Sequence, residues 1–332
     1  MATRFLARPL SSTPRARRAV LPVALPVALA VATALALGGC TPSPGADPGA
    51  STSPAPEPPA ASPASPTPTP TPITVDPAFT ALETQYGARL GVIAIDTGTG
   101  ASVEWRADDR FAYASTHKAL SAAALLDEVG VAGLTEAIAI SADDLVTYSP
   151  VTELHVGSTL TLGELAAAAV QQSDNTAANL IMERLGGPAS FDALLEAQGD
   201  AVTEVARLEP EMTEATPGDT RDTTTPRAFA DDLRTYALGE VLTPNERETL
   251  VGWMTGSTTG NTLIRAGVPA GWTVADKSGA ARYGTRNDIA VIWPPDGAPI
   301  VMAVMSSRDA EDAVRNDQLI ADAARTAVDL LR

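Results

Sequence analysis

The sequence has 332 residues, 45% hydrophobic and 4% aromatic, which is enough apolar material for a packed core in one or two domains. Forty acidic against 23 basic residues leave a formal net charge of −17, which excludes a nucleic-acid partner because phosphate contact needs a basic face. Two histidines and one cysteine fall short of the ligand set of a zinc hydrolase, so no metal is expected; no other cofactor is expected either, since no glycine-rich phosphate loop is present.

The chain starts with Arg4, Arg8, Arg15, Arg17 and Arg18 and no acid, then an apolar run over residues 19–37, then Leu37-Gly38-Gly39-Cys40. That ending resembles the bacterial lipoprotein signal. The resemblance implies removal of residues 1–39, lipidation of Cys40 and export to the outer face of the cell membrane, held there by the lipid. An uncleaved membrane helix is disfavoured by Pro22 and Pro26. Arg17-Arg18 leaves the twin-arginine export route open. Residues 40–76 are expected to be a disordered tether, because twelve prolines between Pro42 and Pro72 leave a segment that cannot bury a core and favours an extended, polyproline-like chain.

Residues 77–332 are expected to form the folded domain. A helix over residues 78–86 is followed by a strand over 89–96, a turn at Thr97-Gly98-Thr99-Gly100 and a return strand over 102–106. The middle is helical. Residues 118–129 are rich in Ala and Leu and stop at Gly130, Thr161-Leu162-Gly163-Glu164 has the spacing of a capping box, and residues 176–185 end at Gly186-Gly187. Thr225-Pro226 and Thr243-Pro244 each read as an N-cap followed by proline at the first helical position. Strands return over 273–279, 288–293 and 300–306, and an amphipathic helix over 312–331 closes the chain. Sheet-forming ends around a helical middle predict a two-lobe α/β (α+β) fold. Its antiparallel sheet is built from both termini with flanking helices, an all-α lobe is inserted at about residues 108–256, and the site lies between the lobes.

The chain uses arginine almost everywhere and lysine only twice, in Ser115-Thr116-His117-Lys118 and Lys277-Ser278-Gly279. Guanidinium stays charged at any accessible pH, whereas an ammonium can be tuned to lose its proton, so lysine kept beside serine points to chemistry. Ser115 stands at the start of the predicted helix with the Lys118 amine one turn on, where free backbone N–H groups favour a developing oxyanion. A serine hydroxyl needs a base, and a desolvated amine can be one.

Together with Ser173-Asp174-Asn175, these motifs resemble the three signatures of the serine β-lactamases and penicillin-binding proteins. Four longer segments, Tyr148 to Glu153, Ser173 to Leu180, Pro217 to Pro226 and Asn287 to Pro295, resemble class A β-lactamases in the same order, so the resemblance spans about residues 78–332. It implies hydrolysis of β-lactam antibiotics and resistance to them. Ser115 would be the acylated nucleophile, helped by Lys118, with its own N–H and that of Ala280 as the oxyanion hole. Ser173 would relay a proton to the departing nitrogen and Asn175 would contact the substrate's side-chain amide. Lys277, Ser278 and Arg286 would bind the substrate carboxylate, and Tyr148 would stack at the cleft edge. Glu209, in Glu209-Pro210-Glu211-Met212, resembles the Ω-loop base that activates the deacylating water, with Arg207 and Asp222 tying the ends of the loop.

Several positions depart from the pattern. Thr213 stands where asparagine usually helps hold that water, and His117 replaces a phenylalanine inside the first motif, where a buried histidine is expected to be structural. Ala114 and Ala281 lack the cysteines of one carbapenemase subgroup. A D-alanyl-D-alanine peptidase and a non-hydrolysing penicillin sensor share the nucleophile and remain alternatives; a Glu209-type loop is what separates the hydrolase from both. The expected partners are small β-lactams and, through the lipid, a membrane, with the enzyme acting as a monomer.

Overall fold

The computed structural model describes residues 76–332. The expected signal segment, Cys40 and the tether up to residue 75 lie outside these residues, while Asp76, expected to end the tether, instead opens the first helix. Helix α1 (Asp76–Tyr86) leads into β1 (Arg89–Asp96), β2 (Ser102–Trp105) and the short β3 (Phe111–Ala112), then through a 3₁₀ turn at Ala114–Thr116 into α2 (His117–Gly133). A small ribbon, β4 (Ala137–Ala139) with β5 (Thr159–Thr161), precedes α3 (Leu162–Gln171), α4 (Asn175–Arg184) and α5 (Pro188–Ala197). After β6 (Thr223–Thr224) come α6 (Pro226–Leu238), α7 (Pro244–Thr255) and the one-turn α8 (Ile264–Gly267). β7 (Thr273–Ala280), β8 (Arg286–Trp293), β9 (Ile300–Ser307) and α9 (Asp317–Leu331) complete the chain.

The sheet has the order β2-β1-β9-β8-β7 and every pair in it is antiparallel, so the amino-terminal hairpin and the carboxy-terminal meander join through β1 and β9. Both faces are covered. Leu90, Val92 and Ala94 point with Met302 and Val304 into a core shared with α1 and α9, through Phe79, Leu319 and Ala323. The intervening Ile93, Val291, Val301 and Ala303 face the second core, which runs on into α2, α3 and α6 through Leu120, Leu165 and Phe229. Burial on both faces explains why these strands read as almost unbroken apolar runs.

Caps fix where the helices begin. Thr161 and Glu164 form the expected capping box on α3, Thr225 Oγ1 accepts from Ala228 N at 3.1 Å ahead of Pro226, and Gly130 takes φ +64° at a break within α2. Some boundaries differ from expectation. Helix α9 starts at Asp317 rather than at 312, because Asn316 caps it by accepting from Leu319 N at 3.2 Å. The residues before it turn back instead onto the β7–β8 connection, where Arg308 N donates to Tyr283 O at 2.7 Å and Tyr283 N to Glu311 O at 3.0 Å. β8 begins at Arg286, two residues early, since its pairing continues to Ala280. Helix α5 is an addition to the expected elements.

Helix α6 also buries Asp232 beside Asp200, whose Oδ1 accepts from Val202 N at 2.7 Å and Thr203 N at 3.0 Å. Burial, then the charge of Asp200 and a hydrogen bond with it, push the Asp232 carboxyl up to about 9 from 3.8. The folded state therefore keeps a proton that the unfolded chain releases above pH ~4, and stability is lost as pH rises from there toward 9. Replacement Asp232→Asn should remove this loss. In urea unfolding the variant should gain a few kcal/mol on the wild type between pH 5 and pH 8, and an equal gap at both pH values would refute the assignment.

Candidate active site

Ser115 sits in the 3₁₀ turn that feeds α2, at the back of a cleft of about 330 Å³, and is only 8% exposed. Three non-glycine residues next to the cleft adopt left-handed backbone: Ala114 (φ +49°), Tyr148 (φ +67°) and Ser173 (φ +60°). Such conformations cost free energy and persist only where the surroundings impose them. Around Ala114 the imposition is visible. Tyr113 N donates to Asp222 O at 3.2 Å, Thr116 Oγ1 donates to Tyr113 O at 2.6 Å, and Asn287 Nδ2 donates to Ala112 O at 2.7 Å.

Lys118 follows one turn later and is fully buried. Its Nζ donates to Asn175 Oδ1 at 2.5 Å and Ser173 O at 3.0 Å, and lies 3.0 Å from Glu209 Oε1 and 3.5 Å from Ser173 Oγ. Burial pushes the amine below its ordinary range, and the charge and hydrogen bond of Glu209 offset this only in part. The same Glu209 Oε1 accepts from Ser115 Oγ at 3.1 Å. Glu209 Oε2 is buried and has no hydrogen-bond partner among the described residues.

The segment 173–175 is held by its middle residue. The buried Asp174 carboxylate accepts from Val151 N, Thr152 N and Thr152 Oγ1, each at 2.9 Å, and caps α4 by accepting from Ala177 N at 2.8 Å. With Asp174 fixed, Ser173 and Asn175 project into the cleft. Asn175 Nδ2 donates to Thr147 O at 2.8 Å and its backbone N–H to Tyr148 O at 3.0 Å, which places Tyr148, 58% exposed, at the mouth.

Strand β7 supplies the opposite wall. Lys277 Nζ donates to Ser173 Oγ at 3.1 Å and Ser278 O at 2.7 Å. Burial, then the nearby charge of Lys118, pushes this amine down to about 7. Gly279 makes the close approach possible: a Cβ there would lie 2.9 Å from Tyr113 O and 3.1 Å from Thr116 N. Ala280 is thereby brought to the cleft beside Ser115, and Ser278 Oγ donates to Thr259 Oγ1 at 2.8 Å. Arg286 lines the cleft, yet its guanidinium is engaged with Asp317, Nε to Oδ1 at 2.7 Å and NH2 to Oδ2 at 3.3 Å.

Glu209 reaches the serine because the peptide that carries it is clamped. Asn179 Nδ2 donates to Glu209 O at 2.8 Å and Asn179 Oδ1 accepts from Glu209 N at 2.9 Å. Arg207 pairs with Asp222 at 2.5 Å and also with Glu214, while Asp222 Oδ1 accepts from Ala206 N and Arg207 N at 3.0 Å and from Tyr113 OH at 3.1 Å. One buried carboxylate thus closes the loop and anchors the strand before the serine. Thr213 donates its hydroxyl to Pro210 O at 2.6 Å and keeps its lone pairs for the cleft it lines. His117 is buried against Tyr113 and Phe191, with ring centroids at 5.7 and 6.4 Å, and its Nε2 stands 4.0 Å from Glu209 Oε1. Burial, then the charges of Lys118 and Lys277, drives it well below its ordinary range, so the imidazole is neutral.

The structure therefore gathers Ser115, Tyr148, Ser173, Asn175, Glu209, Thr213, Ser278, Ala280 and Arg286 on one cleft, with Lys118 and Lys277 buried behind it. Cys40 lies outside the described residues. Sequence reasoning gave no role to Asn179, Thr259 or Arg315. Asn179 was within reach, being one helical turn after Asn175 on the same face; Thr259 and Arg315 come from loops and arrive only through the fold.

Residues 74–331 match the β-lactamase enzyme family. The β-lactamase of Amycolatopsis lactamdurans is 56% identical over 257 residues, 77% of this chain and 85% of that one; β-lactamase 3 of Bacillus cereus is 52% identical over 77% of this chain and 81% of that one. Among solved structures, a class A β-lactamase from Clostridium kluyveri superposes with a TM-score of 0.76 at 47% identity, covering 76% of this chain and 97% of that one. The chain belongs to the β-lactamase enzyme family, with the class A fold.

The close approach at Gly279 can be tested by Gly279→Ala. The added methyl should push β7 from the serine turn, lowering stability by about 1–3 kcal/mol in thermal melts and slowing β-lactam turnover. Unchanged melting and turnover would contradict the contact.

Proposed function

We propose that the protein hydrolyses β-lactam antibiotics through an acyl-serine intermediate and so confers resistance to them. The observation that carries this reading is the meeting of nucleophile, amine and carboxylate at Glu209 Oε1, with Ser115 Oγ at 3.1 Å and Lys118 Nζ at 3.0 Å. Family membership and fold support it.

Ser115 Oγ attacks the lactam carbonyl and its proton passes toward Lys118 and Glu209. The carbonyl oxygen becomes an oxyanion that the N–H groups of Ser115 and Ala280 stabilise. Collapse breaks the carbon–nitrogen bond, and the nitrogen takes a proton through Ser173, whose Oγ stands between the two amines, 3.5 Å from Lys118 Nζ and 3.1 Å from Lys277 Nζ. Lys277, Ser278 and Arg286 receive the substrate carboxylate, Asn175 the side-chain amide, and Tyr148 the side chain itself.

In the second half a water attacks the ester and gives up its proton to Glu209, and Ser115 leaves as the restored hydroxyl. The unpartnered Oε2 is the acceptor such a water needs, and Thr213 offers it a second contact. This half is what a peptidase or a penicillin sensor lacks.

The wider reading is of an exported enzyme. Residues 1–39 are removed, Cys40 carries lipid and holds the chain on the outer face of the membrane, and residues 40–76 act as the tether for the catalytic domain at 77–332. The sequence pattern at Leu37-Gly38-Gly39-Cys40 supports the anchor. Among the described residues no helix is long and apolar enough to cross a membrane. The reading is of a monomer, in which nucleophile, amine and carboxylate are all supplied by the same chain.

Intact-mass time courses with benzylpenicillin test the two halves separately. Wild type should return rapidly to its free mass, Glu209→Ala should accumulate a penicilloyl adduct, and Ser115→Ala should form none. An adduct that clears from Glu209→Ala at the wild-type rate would remove the base assignment.

A further inference from the structure

The anion-binding end of the cleft has an uneven charge distribution. Two arginines line the cleft, Arg286 and Arg315. Arg286 is committed to Asp317 through two nitrogens, and the remaining capacity of Asp317 Oδ2 is taken by Thr262 Oγ1 at 2.6 Å. Burial pushes the Asp317 carboxyl upward, but the hydrogen bonds of Arg286 and Thr262 and the charges of Arg286 and Arg315 outweigh it and hold the group below the usual carboxylate range. Asp317 is thus an ionised group facing both guanidiniums and bonded to one. Arg315 makes no hydrogen bond and no ion pair among the described residues, although the chain as a whole carries an excess of acid.

Its position is built. Arg315 immediately precedes Asn316, the N-cap of α9, and the segment before it is pinned to the β7–β8 turn by Arg308 N to Tyr283 O, Tyr283 N to Glu311 O and the Arg282–Glu311 ion pair. The neighbouring Val314 is 82% exposed, and Ala313, Val314, Arg315 and Asp317 continue the cleft outward as a shallow depression beside Ala281. The rim therefore presents an exposed cation with an apolar neighbour on a backbone already fixed. Lys277 is at the opposite extreme, fully buried behind the cleft and already donating to Ser173 Oγ and Ser278 O.

We propose that Arg315 is a specificity-determining residue of this cleft, meeting the ring carboxylate of an incoming β-lactam at the rim and selecting anionic substrates over neutral ones. The inference rests on the β-lactamase reading above. A guanidinium without a partner has no bond to break before it forks onto a carboxylate, whereas Arg286 must first share or leave Asp317. Because the contact is exposed, salt should weaken it.

The test is steady-state kinetics of the wild type, Arg315→Ala and Arg315→Lys with benzylpenicillin and with its methyl ester, at low and high ionic strength. For the acid, Arg315→Ala should raise KM about tenfold with kcat within twofold, and added salt should narrow the gap. Arg315→Lys should recover most of the loss, and the ester should barely distinguish the three proteins. A KM for the acid that changes less than twofold, or an equal rise for acid and ester, overturns the inference while leaving the hydrolase reading intact. A wild type that turns over neither compound overturns both.

Discussion

The buried amine of Lys118 is the constraint on which the rest of the site depends. It stands on α2, yet its partners come from two other segments: Ser173 and Asn175 from the start of α4, and Glu209 from the Ω-loop. Removing a charge from water costs several kcal/mol, and the interior repays it only when the hydrogen-bonding capacity is filled. The amine therefore draws three separately coded pieces of chain to one point. Much of the surrounding structure serves to keep those pieces there: Asp174 with its four donors, Asn179 on the Glu209 peptide, and Asp222 across the ends of the loop.

The two lysines differ in duty although both are buried. Lys118 touches a carboxylate, a carbonyl and an amide oxygen, so it can pass a proton among groups that also contact the serine. Lys277 contacts Ser173 Oγ and a backbone carbonyl, and burial, then the like charge of Lys118, loosens its proton against the pull of Asp276, Asp288 and Glu209. Ser173 lies between the amines and couples them. The permanent charge at that end of the cleft comes from arginine, one paired with Asp317 and one left open at the rim.

Much of the fold was legible from the sequence because each signal was local. The hairpin at Thr97 to Gly100, the capping box at Thr161 and the proline-led helices at 226 and 244 are fixed by residues a few positions apart, and the long apolar strands announce burial on both faces. The misreadings have tertiary causes. Residues 312–316 carry helical composition, but Arg308 and Glu311 just before them are tied to Tyr283, and the amphipathic pattern alone could not show that Asn316 would cap. The positions of Ser115, Lys118, Ser173, Asn175, Lys277 and Ser278 could be anticipated because their motifs are contiguous. Asn179 stands one turn after Asn175, so its place on the site's face is readable, but its partner Glu209, the Gly279 approach and the pairing of Arg286 with Asp317 lie far apart in the chain and meet only in the fold.

The account requires Lys118 to be an amine that can give up its proton, and a positive charge alone would not serve. Pre-steady-state acylation of Lys118→Arg by benzylpenicillin tests this most directly, with circular dichroism to verify that the variant is folded. Arginine keeps the charge but cannot deprotonate in a protein, so acyl-enzyme formation should fall by at least about a thousandfold. Acylation by the folded variant at a rate near that of the wild type would contradict the account.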